Sequence, residues 1–108
     1  MQTELFNWGR LKWYARKNIN NINITLGLCY INPGMENTLH FHPNCDEILF
    51  VIQGNIIHRL DGEELEMGPG DSLLIPQGAV HNAYNCGNTE AFFSIAFTAG
   101  ERQTTPVI

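Results

Sequence analysis

The sequence predicts an all-β domain, a sandwich or a barrel, on three observations. Turn signals punctuate the chain, among them Asn32-Pro33-Gly34, Asp61-Gly62, Gly68-Pro69-Gly70, Pro76-Gln77-Gly78 and Cys86-Gly87-Asn88. They recur about every eight to twelve residues, the spacing of short antiparallel strands. The stretches between them alternate or run apolar, and none repeats at the helical period. A length of 108 residues suits one domain, able to bury about two-thirds of its unfolded surface without disulfide staples.

Residues 1–17 carry Phe6, Trp8, Trp13 and Tyr14. They read as an aromatic-rich arm crossing to a second subunit, or as an edge strand packed on the barrel. Residues 18–98 make the barrel. In residues 18–31, Ile22, Ile24, Leu26, Leu28 and Tyr30 share one face, and Asn23, Thr25, Gly27 and Cys29 share the other. That alternation is the mark of a half-buried strand. Residues 47–52, EILFVI, are apolar on both faces after the glutamate. A strand of this kind needs cover on both sides, and the sequence holds no amphipathic helix to supply it. A homodimer formed by sheet packing is therefore expected. Residues 55–60 and 63–67 form a hairpin about Asp61-Gly62. Strands at 72–75, 80–85 and 91–98 follow, and residues 99–108 read as a loosely held tail.

Two stretches carry chemistry. His40 and His42 are two apart, so in a strand both imidazoles aim at one face and Phe41 at the other. Pro43, Asn44 and Asp46 make a turn, which resets the register and lets Glu47 approach from the next strand. Two imidazoles and one carboxylate form a partial metal site. His81, opening the strand after the Pro76–Gly78 turn, completes a three-histidine, one-carboxylate set. A single strand histidine is more often an ordinary core or surface residue, but the four together reverse that expectation.

These stretches resemble the paired motifs of the cupin superfamily. The first, G-x5-H-x-H-x4-E-x6-G, is met by Gly34, His40, His42, Glu47 and Gly54. The second, G-x5-P-x-G-x2-H-x3-N, is met by Gly70, Pro76, Gly78, His81 and Asn85. The resemblance implies a small single-domain protein, a double-stranded β-helix or jelly-roll barrel with a metal at its centre. It also implies that Asn85 fixes a local turn rather than touching a ligand. Such a donor set suits one divalent transition metal, iron, manganese, nickel, zinc, copper or cobalt. Calcium and magnesium prefer all-oxygen sites. A divalent ion with one carboxylate leaves the site cationic with open positions, which favours a bidentate anionic oxygen ligand such as a hydroxy acid, keto acid or enediolate. The ion would act as a Lewis acid on bound water or a ligand hydroxyl.

Short cupins similar to this one include isomerases and proteins that open unsaturated uronates. The expected function is therefore isomerase- or lyase-type chemistry on a small sugar, sugar acid or keto-enol compound. A metal-dependent dioxygenase, resembling those for quercetin or acireductone, is the alternative. A non-enzymatic module that binds or senses a small ligand is the third reading. His58 is the one histidine outside the motifs. At the barrel mouth it would be a general acid or base, but the favoured placement is the outer face. Arg59 has the opposite parity; facing inward, it would bind a substrate carboxylate.

Composition bounds the partners. Net charge is −5 and the six Lys and Arg are scattered, which argues against nucleic acid. The N-terminus lacks the pattern of a signal peptide, and no apolar run reaches the ~20 residues of a membrane helix. Cys29, Cys45 and Cys86 are an odd set without pairing spacing, read as reduced thiols of a cytoplasmic protein. The expected partners are a small anionic oxygenated ligand and a second copy of the chain.

Overall fold

The computed structural model describes residues 1–107. Its strands are β1 (Gln2–Phe6), β2 (Gly9–Ala15), β3 (Thr25–Ile31), β4 (His40–Phe41), β5 (Glu47–Gln53) and β6 (Ile56–Leu60). They continue with β7 (Glu63–Met67), β8 (Ser72–Ile75), β9 (His81–Asn85), β10 (Ala91–Phe97) and β11 (Thr105–Pro106). A one-turn helix, α1 (Lys17–Asn20), follows β2, so the strand expected from residue 18 starts later, at Thr25. The strands pair antiparallel into two sheets, ordered β1-β2-β3-β10-β5-β8 and β11-β4-β9-β6-β7. The hairpin expected about Asp61-Gly62 is present. Both residues have positive φ, 48° and 86°, as a turn matched to the twist of its strands requires.

The core lies between the sheets and is built from Trp13, Ile31, Leu49, Val51, Ile56 and Phe93, among others. Residues 1–17 supply the outer edge of the six-stranded sheet. β1 and β2 form a hairpin, β2 pairs with β3, and Trp13 is wholly buried with its Nε1 donating to Glu4 at 2.6 Å.

β3 sits the other way round from an ordinary half-buried strand. Thr25, Gly27, Cys29 and Ile31 face inward, while Leu26, Leu28 and Tyr30 face outward. Trp13 is the reason: a Cβ on Gly27 would stand 2.5 Å from its ring, so only the small-residue face fits beneath the indole. The Thr25 hydroxyl is satisfied by donating to the Ala99 carbonyl at 2.6 Å.

The tail is stitched down rather than loose. Lys17 N–H donates to Gly100 O at 2.9 Å, Asn44 holds both Glu101 O and Gln103 N–H, and β11 pairs with β4. Its last residue, Ile108, lies outside the described residues.

Candidate metal centre

His40 and His81 are direct cross-strand partners on β4 and β9, with ring centroids 4.3 Å apart. His42 lies one residue beyond β4, where its carbonyl accepts from Gly78 N–H at 2.9 Å. Gly78 has φ 82°, a left-handed conformation open to glycine without cost, and it brings the start of β9 beside His42. The three histidines offer ring nitrogens that all lie within 4.8 Å of one another. Glu47 opens β5 on the facing sheet. Its Oε1 is 3.1 Å from His81 Nε2 and 3.3 Å from His42 Nε2; no such approach to His40 occurs among the described residues. His42, Glu47 and His81 are each more than nine-tenths buried.

Backbone carbonyls fix the tautomers. Nδ1 of His40 faces Thr38 O, Nδ1 of His42 faces Gln103 O at 2.8 Å, and Nδ1 of His81 faces Ala79 O at 3.0 Å. A carbonyl only accepts, so each Nδ1 carries the hydrogen and each Nε2 of a neutral ring presents a lone pair. Those lone pairs and the Glu47 carboxylate therefore face each other as acceptors. Nε2 of His42 is buried without a hydrogen-bond partner. Such an arrangement is repulsive without a cation between, either a proton or a metal ion. The residues present thus fit a divalent transition metal.

Charge follows the same geometry. In the metal-free protein burial raises the Glu47 carboxyl, but a proton held between it and the His42 and His81 rings, by its hydrogen bond and its charge, outweighs burial and holds the group down at about 2. Burial, then the His81 charge, lowers His40 to about 4. At neutral pH the carboxylate is ionised and His40 is neutral, the form a metal requires.

Of the other sequence candidates, His58 and Arg59 are placed the other way round from expectation. His58 faces inward, 1% exposed, stacked on the His81 ring at 5.6 Å. Its strand β6 pairs with β9 and buries Ile56 and His58 together. Its Nδ1 has no partner, and burial, then the His81 charge, lowers it to about 4. Arg59 points outward, paired with Glu36 at 2.9 Å and Glu64 at 3.3 Å, so it does not meet a ligand in the interior. Asn85 holds a turn, donating to Ile31 O and Thr89 O and accepting from Gly87 N–H. Cys29 and Cys45 are buried and unpaired; burial, then the Glu47 charge, pushes both thiols up, away from the thiolate that binds metal.

A cavity of about 460 Å³ opens onto the cluster, lined by the three histidines, Glu47, His58 and aromatic residues that include Phe6 and Trp8. That is a volume for a small molecule. Arg102 also lines it, a residue that sequence reasoning had no means to find, since it belongs to no motif and no period.

The family profile of the cupin domain matches residues 27–97. The chain belongs to the cupin family. One relative is the tetracenomycin polyketide synthase protein TcmJ of Streptomyces glaucescens, 35% identical over 66 residues, covering 61% of this chain and 44% of that protein. Another is oxalate oxidase 1 of Hordeum vulgare, 28% identical over 89 residues, covering 74% of this chain and 44% of that protein. The chain thus spans about two-fifths of the curated relatives it matches. Among solved structures, the oxalate decarboxylase formate complex of Lactobacillus farciminis superposes with a TM-score of 0.91 at 20% identity, covering 99% of this chain and 33% of that one. KdgF from Halomonas sp. does so at 0.79 and 21%, covering 95% and 89%. At such identities the likeness is one of fold, and the fold of this cupin is the single jelly roll. No helix among its described residues is long and apolar enough to cross a membrane.

Proposed function

We propose that this cupin is a metal-dependent enzyme acting on a small anionic oxygenated compound, a sugar acid, hydroxy acid or keto-enol compound, by isomerase- or lyase-type chemistry. The observation that carries the reading is the set of three histidine ring nitrogens within 4.8 Å of one another beside a buried carboxylate, with every Nδ1 facing a backbone carbonyl. His40, His42, His81 and Glu47 would hold the ion. When bound, it supplies Lewis acidity to a ligand hydroxyl, carbonyl or water. Thr38, Gln103 and Ala79 hold the rings in place through their carbonyls. Phe6, Trp8 and Leu49 give the cavity apolar walls. His58, stacked on His81 with Nδ1 unpartnered, is the group positioned to carry a proton.

A second reading, an oxygen-using enzyme, is favoured by the match to a protein named oxalate oxidase. Oxygen uptake in the presence of hydroxy and keto acids separates the two. The unpaired thiols fit a reducing cytoplasm.

The protein is also proposed to be a homodimer packed through the outer face of its six-stranded sheet. Leu74, Ile48, Ala96 and Leu26 lie side by side there across β8, β5, β10 and β3. Ile48 and Leu74 are more than half exposed, and a contiguous apolar row of this kind marks an interaction surface. The four-residue α1 is too short to cover it.

Elemental analysis of freshly isolated protein tests the metal reading. About one equivalent of a transition metal is expected, with loss of most of it in His40→Ala and in His81→Ala. Unchanged metal content in both variants would refute the site.

A further inference from the structure

Among the described residues, Arg102 is the cation of this cavity without an ion pair. Arg10 pairs with Glu90, Arg16 with Glu4, and Arg59 with Glu36 and Glu64. Arg102 forms no ion pair among the described residues, although it lines the cavity and is partly buried. The two carboxylates whose charge it feels are otherwise engaged: Glu4 accepts from Trp13 Nε1 at 2.6 Å, and Glu47 faces His42 and His81. Burial lowers the Arg102 pKa more than those carboxylates raise it, yet a guanidinium stays charged in any protein setting.

What holds the side chain spends little of its donor capacity. The guanidinium carbon lies 4.5 Å from the Trp13 ring and 5.0 Å from the Phe97 ring, contacts that fix its orientation without using its N–H groups. One nitrogen donates to Thr104 Oγ1 at 2.7 Å. An arginine has five N–H donors, so most remain for a ligand. The same Phe97 ring is 5.0 Å from the His42 imidazole. One phenyl group therefore separates the free cation from the metal-ligand cluster, and both open onto one cavity.

We propose that Arg102 is the carboxylate anchor of the cavity. The ligand is then an acid with two separate heads: a pair of chelating oxygens, carbonyl, hydroxyl or carboxylate, at the histidine–Glu47 cluster, and a carboxylate on Arg102. This rests on the metal-centre reading and narrows it, because a monocarboxylate that chelates through its only acidic group leaves Arg102 unsatisfied. It also gives Arg102 the role that Arg59, turned outward onto Glu36 and Glu64, does not fill.

The test is calorimetric titration of metal-loaded wild-type protein and Arg102→Gln with malonate, succinate and glutarate, and with the matching monocarboxylates acetate, propionate and butyrate. Metal content is measured in parallel. Wild-type protein should prefer at least one dicarboxylate over its monocarboxylate partner. Arg102→Gln should weaken that dicarboxylate about tenfold to hundredfold, the cost of losing hydrogen bonds to a charged group, while metal content and monocarboxylate affinity stay unchanged. Arg102→Lys keeps a cation but not the planar fork, so it should lose part of the preference, and it serves if the glutamine variant does not fold. Equal dicarboxylate affinity in wild type and variants would overturn the proposal. So would loss of metal along with ligand, which would make Arg102 only a brace for Thr104 and His42. A wild-type protein that takes up no metal would sink the metal-centre reading itself, an outcome distinct from a metal-loaded protein indifferent to Arg102.

Discussion

On β3 of the six-stranded sheet, and at the first residue of β5, the usual assignment of polar and apolar residues to the two faces is reversed. Thr25, Gly27 and Cys29 of β3 and Glu47 of β5 lie inside, while Leu26 and Leu28 of β3 and Ile48, Phe50 and Ile52 of β5 lie outside. In a half-buried strand over a simple core the polar set is outside. Here the inside is a working space as well as a core. Small residues leave room beneath Trp13 and for the cavity, and Glu47 faces two histidines from the opposite sheet. The apolar surplus is displaced to the outer face, where the proposed second copy would cover it.

Crossed substitutions break this comparison most sharply. His42→Ala should abolish metal binding and leave the oligomeric state intact. Phe50→Glu, on the outer face and 45% exposed, should convert dimer to monomer in analytical ultracentrifugation and leave metal content unchanged. If Phe50→Glu sheds the metal, or the wild-type protein sediments as a monomer, the division of labour between the faces is wrong.

Acid should come next in effect. In metal-free protein, His40 and His58 are lowered to about 4 from an ordinary 6.5. The unfolded chain therefore takes up protons first as pH falls. Stability should be flat with respect to these two groups above about pH 6.5 and decline from there towards pH 4, by at most about 1.4 kcal/mol per pH unit for each histidine. Denaturant melts across that window check the slope. A metal-free protein equally stable at pH 7 and pH 4.5 would show that neither ring is held neutral.

A smaller loss should follow from filling the inner face. Gly27→Val would push a side chain into the Trp13 ring, where even a Cβ stands at 2.5 Å, and should cost about 1–3 kcal/mol of stability as overpacking does. The outward-facing Ser94→Val on β10 should cost far less.

The placement of the three histidines and Glu47 was legible in the sequence because it is local within each segment, and the resemblance to the cupin motifs implied that the segments meet. A period of two sets His40 and His42, and turns at Pro43–Asp46 and Pro76–Gly78 position Glu47 and His81. What alternation cannot say is which face of a strand is inside. On β3 the answer depends on Trp13, brought in by another strand. The same blindness applied to His58 and Arg59, adjacent residues of opposite parity. Glu36 and Glu64 claim the arginine on the outside, and Ile56 takes the histidine in. Whether residues 1–17 formed an arm or an edge strand turned on hydrogen bonds to β3 that aromatic content does not encode. Arg102 was beyond reach, because its place is set by long-range ties of the tail to Lys17 and Asn44.

X-ray absorption at the edge of the bound metal addresses the centre most directly. Three imidazole nitrogens and one carboxylate oxygen are expected at about 2.0–2.2 Å, supplied by His40, His42, His81 and Glu47. A sulfur neighbour near 2.3 Å, as Cys29 or Cys45 would give, or a shell with fewer than two imidazoles, would contradict the assignment.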